Sequence, residues 1–514
     1  MFARLMLVAG ALSIPVSAAD WTQWGRDHTR NSVSPEKNLP EFTLKVVDDN
    51  DKIVTPDRGV AWKAELGTRT VVHPVIADGL VWVCTNARHP DPDNESIKSS
   101  EWDGGVLMCF RERDGKFLWK QRTPRGKSYV SDWPHAAIGS APLVEGDRLW
   151  YTTNRHEVTC LDIDPLKKAT GEPKEVWKLR LVEDVGVFPH LPGMQGGFAA
   201  SVAGYKDWLY VVTHNGVDEN RVHLPAPDAP SLICVDKKTG KVVWRDKSPG
   251  KNIYQCQISS PLVAEINGKP QVIVGQGDGW LRSFEAATGK LIWKCDLNQK
   301  KSGPYELGGR SERNYIVATP VLWDNRIYIG TGQEVEHYDG HGCLYCIDPT
   351  KTGDVSRELD DGPGKGKANP NSAVVWHTLG PFPDGVPNHN SKKNILQVRD
   401  GYLFGRTIAS CAVHDGLVYA ADLAGYFFCF DAKTGKPYWI HDLKSSVWGH
   451  PLWADGKVLV ADEDGDIFIF AHGKEMKLLT KIESSEPIRP GLVFANGTLY
   501  VTGEKTLYAI RGSK

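Results

Sequence analysis

From residue 59 onward the chain is written in short apolar stretches separated by tight polar turns, and the pattern recurs. Each repeat opens on an apolar stretch often led by a small residue and Pro: SAPLVEG (140–146), SSPLVAEING (259–268), ATPVLWDN (318–325), GHPLWADG (449–456). A turn leads to a second stretch, such as RIYIGTG or LVYAADL, and then to a third that ends on an acidic residue: LICVD, LYCID, FFCFD. The last stretch follows a turn and ends in Trp: DKKTGKVVW (236–244), EAATGKLIW (285–293), DAKTGKPYW (431–439) and, loosened, ERDGKFLW (112–119). β-Branched and aromatic residues dominate these stretches, and long helical periodicity is nearly absent, so each reads as a strand. In the turn, Asp236 accepts from backbone N–H groups, Gly240 takes the positive φ of a short hairpin loop, and Lys241 restarts the strand.

Counting the repeats sets the architecture. Hairpins end at Trp119, Trp177, Trp244, Trp293, Trp376 and Trp439, and a weaker seventh runs through DIFIFAHGKEMKLLTKI (466–482). The eighth begins at RPGLVFANGTLYVTG (489–503), reaches TLYAI (506–510) and has no fourth strand of its own. GVAWKAELG (59–67) supplies it, with Trp62 in the usual place. A ring closed by both parts of the chain leaves no open blade. The prediction is an all-β, eight-bladed β-propeller of four-stranded antiparallel blades over residues 59–514, closed by an N-terminal strand.

The D/E-x-x-T-G-K-x-x-W phrase resembles the PQQ-like (pyrroloquinoline quinone repeat) propeller superfamily, over residues 60–510. That superfamily includes BamB-like outer-membrane assembly factors and quinoprotein alcohol dehydrogenases. The resemblance implies that the recurring Trp docks each blade's outer strand on its neighbour. Trp119, Trp244, Trp293 and Trp439 match that role by position, and Trp62, Trp177 and Trp376 hold the same place. A large apolar ring with one N–H donor suits repeated packing better than binding of a single cofactor.

Composition narrows the setting. The 514 residues carry a net charge of only −2 with no long Lys/Arg run, so neither nucleic acid nor an anionic membrane surface is indicated. The start, MFARLMLVAGALSIPVSAAD, has a basic residue (Arg4), an apolar run from Leu5 to Val16 and small residues before Asp20. This reads as a secretory signal peptide over 1–19, giving a periplasmic or secreted chain. The first cysteine is Cys84, so no lipid anchor is expected. Residues 20–58 read as a lead-in packed on the propeller.

Little points to catalysis. G-x-S-x-G, H-E-x-x-H, P-loop and C-x-x-C-H patterns are absent, as is the adjacent cysteine pair that the resemblance associates with quinone binding. DEDGDIFIF (462–470) lacks the closing Glu of a calcium loop and reads as a hairpin turn. Cys109, Cys160, Cys234, Cys346 and Cys429 share one third-strand position with Ser283 and Ala509, so the position asks for a small side chain and buried free thiols are expected. Cys343 and Cys346 fall on opposite faces of one strand. No metal site and no cofactor are expected; PQQ and calcium enter only under the dehydrogenase alternative.

The long connections (85–104, 120–138, 182–198, 214–230, 295–316, 333–341, 377–408) emerge on one face, and insertions on one face of a repeat scaffold mark a binding face. Trp133, His135, Arg310, Arg313, Arg406, Trp448 and His450 lie just before innermost strands and are the ligand-binding candidates at the channel mouth. Arg and His there suit an anionic or hydroxyl-rich ligand, with Trp as a stacking surface. The expected function is an exported, monomeric, non-catalytic propeller that binds a protein partner or ligand through this face. The alternatives are a PQQ- and Ca-dependent alcohol or sugar dehydrogenase, and a carbohydrate-binding or hydrolytic propeller.

Overall fold

The computed structural model describes residues 19–512 except 51, 88–103, 125–137, 190–198, 219, 256, 303–305, 308–312, 333–340 and 381–402. Eight antiparallel blades form an eight-bladed β-propeller. Blades 1 to 7 run over 75–124, 143–180, 203–246, 262–296, 321–377, 412–442 and 452–482; blade 8 joins Val493–Ala495, Thr498–Thr502 and Thr506–Ile510 to Val60–Glu65. No described helix is long and apolar enough to cross a membrane.

The repeated phrase is one device shared between neighbouring blades. In the third-to-fourth-strand ladders a small residue faces the Trp: Cys109↔Trp119, Cys160↔Trp177, Cys234↔Trp244, Ser283↔Trp293, Cys346↔Trp376, Cys429↔Trp439 and Ala509↔Trp62. The register slips by a bulge just after that residue, which twists the outer strand toward the next blade. There the indole N–H donates to a backbone carbonyl near the end of the neighbour's third strand: Trp62 to Glu112, Trp177 to Lys237, Trp244 to Ala286 and Trp376 to Ala432, at 2.8–2.9 Å. The ring lies over the neighbour's turn glycine, so a Cβ on Gly115, Gly240, Gly289 or Gly435 would come within 2.5–2.7 Å of it. Gly therefore serves both the positive φ and the close approach.

Departures fall where the next blade joins its third and fourth strands by a longer connection than the tight turn. Trp119 faces blade 2, where Asp164–Lys167 forms a short helix, and packs against Trp82 in a cluster that includes Leu166. Trp293 faces the insertion of blade 5; its N–H donates to Gln271 of its own blade at 3.3 Å, while Gly353–Asp354 pairs in parallel with its strand. Blade 7 has Ile469↔Thr480 where a Trp pair would stand. Phe42 and Leu44 of the lead-in join the cluster that contains Ile469 and Ile482.

The lead-in does more than lie on the surface. Residues 20–36 run through the centre of the wheel and meet every inner strand. Trp21 exchanges two hydrogen bonds with Ile76 of blade 1, and Thr22 accepts from Val144 of blade 2. Arg30 donates to carbonyls of Val202 and Pro261 in blades 3 and 4, at 3.0 Å each. Thr29 accepts from Leu322 of blade 5, and Asn31 makes a two-way pair with Val413 of blade 6. Val33–Ser34 pairs with Trp453–Ala454 of blade 7, and Ser34 Oγ donates to Phe494 of blade 8. Inner strands of a propeller present unpaired backbone groups to the channel; here the lead-in satisfies one or more in each blade.

Candidate functional site

On the long-loop face, the residues leading into each first strand form stacked rings around the channel. The outer ring holds Gly139, Ala199, Ile258, Val317, Ile408 and Trp448; the next holds Ser260, Thr319, Ser410 and His450; the half-buried Trp24 of the lead-in is the floor. The second ring is stitched between blades. Ala141 N–H donates to Ser201 Oγ, Ser201 N–H to Ser260 Oγ and Thr319 N–H to Ser410 Oγ. Trp24 Nε1–H donates to Thr319 Oγ1 at 3.1 Å. The cavity that these described residues line is about 30 Å³, room for an ordered water or two.

Beneath the mouth, three rings meet. Trp24 stacks on His73 at 4.8 Å, and His450 stands edge-on to both, at 5.0 and 5.2 Å. His73 Nε2 accepts from Gly25 N–H, so its Nδ1 carries the proton and donates to Pro74 O. Burial pushes the His73 imidazole down to about 4 and that of His450 well below its ordinary value, so both are neutral. His73 (VVHP) and His450 (WGHP) occupy the same repeat position, a correspondence that aligning the units would have exposed.

Several described charged groups on this side are paired with one another. Trp448 Nε1–H donates to Glu463 at 3.0 Å with the Arg489 guanidinium over its ring. Arg489 bridges Glu463 (3.0 Å) and Glu504 (2.7 Å). Arg313 is buried and pairs with Asp296 at 3.0 Å, beside Lys300 on the same carboxylate at 2.9 Å. Arg406 is half-buried, and its carbonyl accepts from Leu423. Trp133, His135 and Arg310 lie outside the described residues. Thus the structure brings Trp448 and His450 to the channel and ties Arg313 to an ion pair. Glu463, Arg489, Glu504, His73 and Trp24 escaped the sequence reading, because no motif marks a partner supplied by another blade.

The DEDG stretch is a turn: Asp462 Oδ1 accepts from Asp466 N–H, and burial pushes this carboxyl up to about 7. The nine described cysteines are all buried free thiols. Cys343 and Cys346 point into different clusters, and burial raises both to about 12, far from a reactive thiolate.

A quinone cradle asks for cations facing a planar polycarboxylate and oxygen ligands for a hard metal ion. The described residues of the channel offer Trp24, Trp448, Gly, aliphatic, hydroxyl and neutral His side chains around a cavity of about 30 Å³, too small for such a ring. Arg489 at the rim is already paired, and no group of three or more His, Cys, Asp or Glu among the described residues could hold a metal ion. These residues do not fit the quinone.

Fold and site together define the class: a PQQ-like repeat propeller with a filled centre and a long-loop face. The family model described as "Outer membrane protein assembly factor BamB" matches residues 102–378 and 366–475, and the chain belongs to that family. Among solved structures it resembles BamB from Moraxella catarrhalis (15% identity, TM-score 0.53, covering 88% of this chain and 99% of that one). It also resembles the quinohemoprotein alcohol dehydrogenase from Comamonas testosteroni (14%, TM-score 0.58, 96% and 81%). The polyvinylalcohol dehydrogenase of Sphingopyxis sp. (strain 113P3) is 22% identical over 274 residues, 49% of this chain. This chain spans only 38% of that enzyme's length.

Proposed function

We propose that this protein is an exported binding propeller whose long-loop face docks a protein partner, in the manner its family description implies for outer-membrane protein assembly. The observation that carries the reading is the filled centre. Among the described residues, 20–36 reach every inner strand, the cavity beside Trp24 is about 30 Å³, and Arg489 and Arg313 are each paired with a carboxylate. Docking then falls to the long connections of the sequence, most of which lie outside the described residues. The signal-like start supports export.

Kinship with dehydrogenases favours a second reading, a PQQ- and Ca-dependent alcohol dehydrogenase. Melting the purified protein with and without the quinone and Ca²⁺ separates the two. A ligand at about 100 times its Kd stabilises a fold by roughly 2.7 kcal/mol. The binding-propeller reading expects an unchanged Tm and no dye-coupled alcohol oxidation; a saturable rise that needs both components overturns it.

A further inference from the structure

The path of the lead-in closes on itself. After passing all eight blades, the segment returns at Glu36 to its own beginning, where Ala19 N–H lies 2.9 Å from Glu36 Oε1. Glu36 is only 9% exposed, and its other oxygen accepts from Gly497 N–H. Among the described residues it forms no ion pair. The neighbouring carboxylates are provided for: Asp20 accepts from Asn496 and from Asp78 N–H, and Glu112 from Asn496 and Tyr500. Both observed donors to this carboxylate are main-chain nitrogens, Ala19 at 2.9 Å and Gly497 at 3.0 Å, and a carboxylate buried with peptide donors alone is costly.

We propose that the mature chain begins at Ala19, and that its α-ammonium is the cationic partner of Glu36, clasping the ring that residues 19–36 make inside the propeller. This rests on the export reading above. Processing adds water across the Ala18–Ala19 peptide bond; the carboxylate leaves with residues 1–18, and the freed amine takes up a proton. Val16 and Ala18 stand three and one residues before the cut, both small enough for signal-peptide cleavage. The structure thus moves the boundary one residue from the Asp20 start suggested by sequence. A chain starting at Asp20 would lose the nitrogen that reaches Glu36.

The test is the intact mass and N-terminal sequence of the full chain recovered from an exporting host, followed by α-amine reductive methylation at neutral pH. An Ala-Asp-Trp start is expected, with labelling about tenfold slower than in Glu36→Gln, the factor that about 1.4 kcal/mol represents. Two residues added before Ala19 should lower Tm in wild type but not in Glu36→Gln, as coupling through one contact requires. An Asp-Trp-Thr start, or additive losses from the extension and Glu36→Gln, overturns the clasp while leaving export intact. A chain that keeps residues 1–18 overturns both.

Discussion

Gly240 shows how much one position in the repeat carries. Its φ is +72°, and a Cβ there would lie 2.7 Å from the Trp177 ring of the preceding blade. Gly146 is also left-handed (φ +55°) but faces open space. Gly146→Ala should therefore cost about 1 kcal/mol, the strain of the left-handed region alone. Gly240→Ala should cost about 3 kcal/mol, because the indole has to move as well. Urea melts of the two variants compare them directly; equal losses would mean that the Trp–Gly contact adds nothing.

Buried histidines set the response to acid. Burial holds His73 and His214 down at about 4 in the folded protein, against 6.5 for the free imidazole. The unfolded imidazoles take up protons first as pH falls, so the contribution of these two histidines is complete above about 6.5 and is lost progressively between 6.5 and 4. Tm should fall across this window, and more gently in His214→Gln than in wild type. Parallel profiles would show that His214 does not contribute.

Among elements, Val60–Glu65 has the longest reach: a strand from the start of the wheel completes the last blade, pairing Trp62 with Ala509 and Lys63 with Tyr508. A chain truncated to begin at Thr68 would keep a three-stranded blade 8 with Thr506–Ile510 as an open edge. It should self-associate in light scattering more than a chain beginning at Asp57, which loses the same lead-in but keeps the closing strand. The lead-in and the blade 5 insertion act on other edges, one inside the wheel and one along the outer strand Leu291–Asp296.

At the scale of the molecule, the filled centre separates this propeller from one that uses its channel. Eight inner strands converge on an axis where side chains and backbone edges have to be satisfied, and residues 20–36 satisfy them. The segment thereby ties the eight inner strands to one another, and under the proposed reading recognition falls to the long connections rather than to the channel. Propellers of one fold host unrelated functions, so the fold alone does not choose between a dehydrogenase and a scaffold. The contents of the channel bear on that choice.

Sequence by itself determined the blades, their number and their closure, because strand alternation, turn chemistry and the Asp-Thr-Gly-Lys-Trp phrase are local signals repeated at a readable spacing. It also marked Trp448 and His450 as residues preceding an inner strand. Only the tertiary structure decided what those residues face. The Glu463 that holds Trp448, the Asp296 that captures Arg313, and the His73 and Trp24 that close around His450 come from other turns, other blades or the lead-in. The path of residues 20–36 was likewise illegible, since a segment that pairs with one inner strand after another needs no periodicity of its own. Local pattern records what a residue does for its own strand; the meeting of eight strands at one axis is recorded only in three dimensions.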